Sequence, residues 1–237
     1  MKIILQEDSH IDYQNYRFPY CLYAIKEADD YYGEIYDKGF LPYSNNLDME
    51  EEIFYMARSI RIDLARSPFN YKQNNVFNKF SKVYRDTELV FSLESKDDLK
   101  NNHDFLDWCL ANAKNRFLSM ERLRYILSRP YLRNILCITS KEKVLAYVFL
   151  IHEPGKFAHV WYSFYDQENK MNDFGKWIIL KTIAWCFAHQ YPLFYIGTCY
   201  SASAFYKLTL SPHTTYFDGT GWNEDLSGLK KKLLTEN

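Results

Sequence analysis

Three short stretches hold the residues best suited to chemistry. Residues 160–166 read Val-Trp-Tyr-Ser-Phe-Tyr-Asp, so Tyr162 and Tyr165 precede Asp166 at the end of a strand-like run. A carboxylate there can orient or deprotonate an attacking amine, and an α-amine that titrates near ~8 needs only a weak acceptor. The plainer reading of Asp166 is a solvated turn residue. Gly175 opens an apolar run, and a helix starting there would offer unpaired N–H groups and partial positive charge to a phosphate. The plainer reading is a helix cap made by Asp173. Tyr206-Lys207 form the third stretch, either a contact for an anionic group or a surface lysine beside a core tyrosine. Arg58 and Arg61 flank an apolar strand, and at least one is expected to be held by a carboxylate or ligand, because an unanswered guanidinium beside a core is costly.

Metal chemistry has no comparable foothold. Cys21, Cys109, Cys137, Cys186 and Cys199 are widely scattered, and no two form a Cys-x-x-Cys pair. Closely spaced soft ligands are what zinc and cluster sites require, so no metal is expected and the thiols read as reduced and buried. The six histidines show no ligand spacing, and His152 and His159 read as core or rim residues. With 29 basic and 30 acidic residues the net charge is −1, so any nucleic-acid contact must be local. The 21 Tyr and 17 Phe imply a large aromatic core and a polar cleft with aromatic walls. The N-terminal apolar stretch is short for a signal peptide, and no apolar run approaches the ~20 residues that span a bilayer. The expectation is a cytoplasmic protein with no membrane partner.

The elements that must position these groups follow from periodicity. Residues 31–38 read as a helix closed by Gly39, 60–64 as a strand and 73–82 as a helix. Residues 87–93 are strand-like, and the polar run 94–103 is the softest domain boundary. Apolar positions from Leu106 through Phe117 to Leu127 recur every three or four residues, predicting one amphipathic helix over 104–128 that ends near Pro130. Strands follow at 134–139, 143–151 and 159–165, the middle one apolar on both faces and hence central. A helix over 174–189 with a Trp177, Leu180, Ala184, Phe187 stripe, a strand at 193–197, a short helix at 202–208, a strand at 215–217 and a basic C-terminal helix complete the chain.

This order, antiparallel strands feeding a strand–helix–strand crossover, resembles the GNAT acyltransferase fold. Four colinear stretches are in turn similar to the arginyl-tRNA–protein transferase family and its bacterial leucyl-transferring relatives. They are Cys21-Leu22-Tyr23 with Tyr36-Asp37-Lys38-Gly39-Phe40 and Ser44; Arg61-Ile62-Asp63 with Gln73; Val160 to Asp166 with Phe174-Gly175; and Phe194-Tyr195-Ile196-Gly197 with Tyr206-Lys207, Pro212 and Gly221-Trp222. Where that family has a cysteine cluster this chain has Phe54-Tyr55 and Met56-Ala57, and where it has basic pairs this chain has Asn74-Asn75 and Leu41-Pro42.

The resemblance implies an α/β (α+β) GNAT-like fold, a mixed central sheet flanked by helices. An N-terminal α/β region over 1–95 would precede a transferase domain over 96–237. It implies an aminoacyltransferase that takes its acyl group from the 3′ end of aminoacyl-tRNA and passes it to an amine, a protein or peptide N-terminus, with no separate cofactor. Asp166 and Tyr165 would be catalytic, and Tyr162, Gly175, Tyr206, Lys207, Arg61 and Gln73 would bind substrate. Tyr162 and Tyr165 would form the aromatic walls, and Lys207 would meet a phosphate. Two alternatives stay open. One is an acetyl-CoA-dependent GNAT N-acyltransferase, although the single glycine of residues 169–175 is poor against the Arg/Gln-x-x-Gly-x-Gly/Ala pyrophosphate loop of such enzymes. The other is an inactive relative that binds a peptide or an RNA end.

Overall fold

The computed structural model describes residues 1–7, 20–44, 51–113 and 118–235. They fall into two compact units, Leu64–Phe194 and a second built from Met1–Asp63 with Tyr195–Asn237. The polar run at 94–103 lies inside the first of these. Both units combine helices with strands, so the α/β class expected from the sequence is the class observed.

In Leu64–Phe194, four strands pair antiparallel in the order β9-β8-β7-β6: β6 (Leu89–Ser95), β7 (Asn134–Ser140), β8 (Lys143–Glu153) and β9 (Phe157–Tyr165). The side-by-side antiparallel pairing of the second and third expected strands is therefore present. β8 is buried on both faces, with Leu145, Ala146 and Val148 through Ile151 at 1 % exposure or less, as a central strand under helices must be. The helical periodicity of residues 104–128 belongs to two helices, α4 (His103–Ala111) and α5 (Met120–Ser128). Each has its own start signal, since Asn102 Oδ1 accepts from the Phe105 N–H and Ser119 Oγ from the Arg122 N–H. Their apolar faces share one core with Ile135, Phe149 and Phe164, which is why the spacing runs on through the break. Phe117, which the single-helix reading used, lies outside the described residues. α5 stops before Pro130, whose predecessor Arg129 is extended at ψ 132°.

α2 (Tyr71–Ser81) begins with a capping box in which Asn70 and Gln73 satisfy each other's backbone donors. α6 (Phe174–Ala188) stacks Trp177 on Phe80 of α2, ring centroids 5.0 Å apart. The expected stripe on α6 holds for Trp177 and Leu180 but not for Phe187, which is 40 % exposed. Ile178, Ile179, Thr182 and Ile183 are buried as well, so this helix is apolar around most of its circumference and its pattern alone cannot pick the inner face.

The other unit carries strands that periodicity did not reveal. β1 (Lys2–Glu7), β2 (Tyr20–Ile25), β3 (Phe40–Pro42) and β4 (Ile53–Met56) pair in the order β1-β2-β4-β3. Beside α1 (Tyr32–Asp37), Gly39 adopts φ +81°, and a Cβ there would stand 2.2 Å from the Phe217 ring. No residue but glycine fits both the conformation and the approach. β5 (Ser59–Asp63) pairs with β11 (Thr214–Phe217), which pairs with β12 (Trp222–Asn223). β10 (Leu193–Thr198) enters the unit at Tyr195 and leads to a 3-10 helix, Ala202–Thr209, against which α7 (Leu226–Thr235) packs. No helix among the described residues is long and apolar enough to cross a membrane.

Candidate active site

The end of β9 and the start of α6 form a closed corner. Asp166 is 6 % exposed, and both of its carboxylate oxygens are engaged: Oδ1 accepts from the Glu168 N–H at 3.0 Å and Oδ2 lies 2.7 Å from Lys143 Nζ. The bond to this carboxylate holds the Lys143 ammonium above its usual range. The loop that follows is tied down at several points. The Gln167 N–H donates to Asn112 Oδ1 at 2.8 Å, Asn169 Nδ2 donates to the Tyr84 hydroxyl at 2.7 Å, and Lys79 Nζ donates to the Asn172 carbonyl at 2.6 Å. Asp173 occupies the cap position of α6 but at φ +70° its side chain makes no capping bond; it lies 3.6 Å from Lys79 instead. The Tyr165 ring lies across the first turn, where a Cβ on Gly175 would stand 2.6 Å from it. Glycine is needed there for the tyrosine's approach.

Tyr162 sits on the opposite face of β9. It stacks in parallel on Phe164 with centroids 6.3 Å apart, while Tyr165, three positions on, faces Phe174 and Gly175. Odd spacing along a strand puts side chains on opposite faces, so these two tyrosines are not walls of one slot. A bulge in the pairing of β9 with β8, between Phe149 and Leu150, leaves Trp161 as the extra residue. Trp161 and Tyr162 then lie with ring centroids 5.1 Å apart although they are neighbours in sequence. Tyr162 is thereby half-buried against the α4–α5 core. Gln73 is 3 % exposed, and its Oε1 accepts the Asn70 N–H at 3.0 Å as part of the α2 cap.

In the other unit, Arg61 is held by a carboxylate, as one of the two flanking arginines was expected to be. Its Nη1 lies 2.8 Å from Asp37 Oδ1, and its guanidinium stacks 4.0 Å from the centroid of Trp222. Trp222 Nε1 donates to the Asp37 carbonyl at 2.8 Å, and Tyr195 packs edge-on to both Tyr36 and Trp222. Burial pushes the Tyr195 hydroxyl up to about 12, with Arg61 opposing. Sequence reasoning did not pair Asp37 and Trp222 with Arg61, although all three lie in the motif stretches. Composition gives no sign of a pairing between residues so far apart in the chain.

Lys207 stands apart. Its Nζ donates to the Thr198 carbonyl at 2.8 Å, and among the described residues no carboxylate lies within 4 Å of it. The residue keeps part of its surface open, yet its amine is desolvated, and burial pulls it down to about 8 against a weak opposing influence of Cys199. Cys199 is fully buried and its thiol is itself raised by burial, so it supplies little counter-charge. Gly197, at φ +73°, lies under the amine, and a Cβ there would stand 3.4 Å from Nζ. Tyr206, next along the chain, is 43 % exposed. Among the described residues, no group of three metal-ligating side chains comes together.

Comparison with known proteins agrees with the motif reading. No curated protein matches the chain. Among solved structures, the C-terminal domain of an Agrobacterium fabrum protein described as a lysylphosphatidylglycerol synthetase is 16 % identical at a TM-score of 0.43, covering 71 % of this chain and 51 % of its own. L-PGS from Bacillus licheniformis is 14 % identical at a TM-score of 0.42, covering 85 % and 68 %. A possible acetyltransferase from Clostridium difficile 630 is 16 % identical at 0.31, covering 41 % and 70 %. The chain thus spans about half the length of the first of these structures. Residues 77–216 match the family model described as arginine-tRNA-protein transferase, C terminus. That match takes in β6 to β11 and with them the Tyr165–Gly175 corner, Gly197 and Lys207, and over more than half of its length this chain belongs to the arginine-tRNA-protein transferase family.

Proposed function

We propose that this protein transfers an aminoacyl group from the 3′ end of an aminoacyl-tRNA to an amine, a protein or peptide N-terminus being the acceptor. The family match over residues 77–216 carries this reading. The geometry in front of α6 favours it over an acyl-CoA donor. A pyrophosphate needs open N–H groups at a helix start, whereas here the Tyr165 ring lies across Gly175 and the preceding loop is fixed by Asn112, Tyr84 and Lys79. An ester of a ribose hydroxyl requires no such cradle. Aminolysis of that ester needs a deprotonated amine, a positioned carbonyl and stabilisation of the tetrahedral oxyanion.

The test is direct. Purified protein is incubated with a labelled peptide and either a mixed aminoacyl-tRNA pool or acetyl-CoA, and the peptide is weighed by mass spectrometry. The expected result is an added amino-acid residue with aminoacyl-tRNA and no acetyl group with acetyl-CoA. The reverse would establish the CoA-dependent reading. Melting curves with each donor add a binding measure, since a ligand held at 100 Kd raises stability by about 2.7 kcal/mol. A shift with aminoacyl-tRNA but no product would identify a binding relative without transfer activity.

A further inference from the structure

Some of the cations that this fold draws inward are answered by acids, whereas Arg129 lies over the rings of Tyr125 and Tyr131 and Lys96 donates to the Arg129 carbonyl. Arg61 has Asp37, and Lys181, enclosed to 12 % exposure, has Asp86 at 2.5 Å. Among the described residues, Lys207 Nζ has one hydrogen-bond partner, the Thr198 carbonyl. One donated N–H fixes the amine's direction and leaves its remaining N–H positions and, when neutral, its lone pair uncommitted. Gly197 lies beside the amine, where a Cβ would come into contact with Nζ at 3.4 Å. Burial, and not a neighbouring charge, works against a permanent ammonium at this corner. Cys199 stays a neutral thiol, and the charges that reach Cys199, besides Lys207 itself, are Arg58 before β5 and Lys230 on α7, both cationic. A fixed anchor for an anion would be better served by an ammonium left in contact with water or by arginine.

We propose that Lys207 is the proton acceptor of the aminoacyl transfer, a role that rests on the function proposed above. The attacking R–NH3⁺ gives one proton to the Lys207 amine, and the freed nitrogen pair forms the C–N bond at the donor's ester carbonyl, whose π electrons move to oxygen. When the carbonyl re-forms, the C–O bond to the ribose breaks. The ribose oxygen leaves with that bond's electron pair and takes up the second proton of the attacking nitrogen. The Lys207 ammonium then returns its proton to water. One amide, one ribose hydroxyl and one proton result, with no oxidant or further reactant. The desolvation of the amine agrees with this work: at about 8, roughly one molecule in five is neutral at pH 7.4, against about one in a thousand for an ordinary lysine, and a base poised near the working pH is the most effective.

The experiment uses the full chain with aminoacyl-tRNA and a peptide acceptor. Lys207→Arg keeps a cation but cannot accept a proton, and it is expected to slow transfer at least 100-fold, within the range general-base losses span. Lys207→Ala should be rescued by small primary amines, increasingly with their basicity, and not by guanidinium. Separately, acetic anhydride labelling of the unliganded wild-type protein, read by mass spectrometry, should give Lys207 a reactivity midpoint near pH 8. Arginine substitution that leaves the rate within a few-fold, or guanidinium rescue matching that of amines, makes Lys207 an anion anchor and overturns the proton role while leaving aminoacyl transfer intact. A labelling midpoint above 10 overturns it as well. An inactive wild-type protein overturns both readings, and the labelling midpoint then stands only as a property of the buried amine.

Discussion

The corner at Asp166 and the corner at Lys207 looked alike as sequence in one respect, each a charged residue directly after a tyrosine, Asp166 at the end of a strand and Lys207 on the short helix that follows one. Folded, they differ in kind. Asp166 has a cation on one oxygen, a backbone N–H on the other, and a loop around it held by Asn112, Tyr84 and Lys79. Lys207 has one carbonyl and, among the described residues, no acid within 4 Å. A charge that is fully answered holds structure together, while a desolvated charge left without a counter-ion costs stability that a scaffold alone has no reason to keep. Under the proposal made above, the first corner serves the architecture and the second the chemistry.

The largest effect on that contrast should come from Lys207→Met. Lowering the amine from 10.5 to about 8 corresponds to about 3 kcal/mol of desolvation at pH 7, of which the lost bond to Thr198 returns about 1. The variant should therefore be more stable than wild type by about 1–2 kcal/mol at neutral pH, a rise of some 2–8 °C in Tm. The sign with pH follows from proton counting. Between 8 and 10.5 the unfolded chain binds the proton that the folded chain has shed, so wild-type stability climbs with pH there. The variant's advantage should be full below 8 and gone above 10.5. Melting curves at pH 7 and pH 10 that show the same difference would count against a desolvated amine.

An effect of similar size and opposite sign is expected of Gly197→Ala. A left-handed backbone costs a non-glycine residue roughly 1–2 kcal/mol, and the new methyl would touch Nζ at 3.4 Å. Chemical denaturation should show that loss, and labelling of Lys207 should slow. Unchanged labelling would mean that the amine is reached from elsewhere. The smallest effect belongs to Asp166→Asn. The amide oxygen can still accept from the Glu168 N–H, so only the bond to Lys143 is lost. With the Lys143 side chain 61 % exposed, that pair is screened and worth about 0.5–1 kcal/mol. Transfer should fall no more than a few-fold. A hundredfold drop with normal stability would invert the comparison and make Asp166 the chemical group.

How much of this was legible beforehand varied with the kind of signal. β7, β8, β9 and α6 stood out because long apolar runs bounded by polar turns have few alternatives. β1 to β4 did not, because each has six residues or fewer and none alternates cleanly between apolar and polar positions. The join between α4 and α5 was hidden because both helices feed one core with the same period. Gly39 and Gly175 could be marked as special from their motifs, but not the reason, which is a ring of Phe217 or Tyr165 pressed against the backbone.

The sequence by itself determined the α/β class, the order of elements from β7 to β11, the buried state of the five cysteines and the family, since all of these depend on local pattern or colinear motif. Which charge meets which was decided only by the tertiary structure. Arg61 finds Asp37 from 24 positions away and Trp222 from across the unit, Asp166 finds Lys143 at the start of a neighbouring strand, and Lys207 finds the Thr198 carbonyl. Desolvation and pairing are properties of three-dimensional neighbourhood, falling off within a few ångströms of each atom, and spacing along a chain does not encode them.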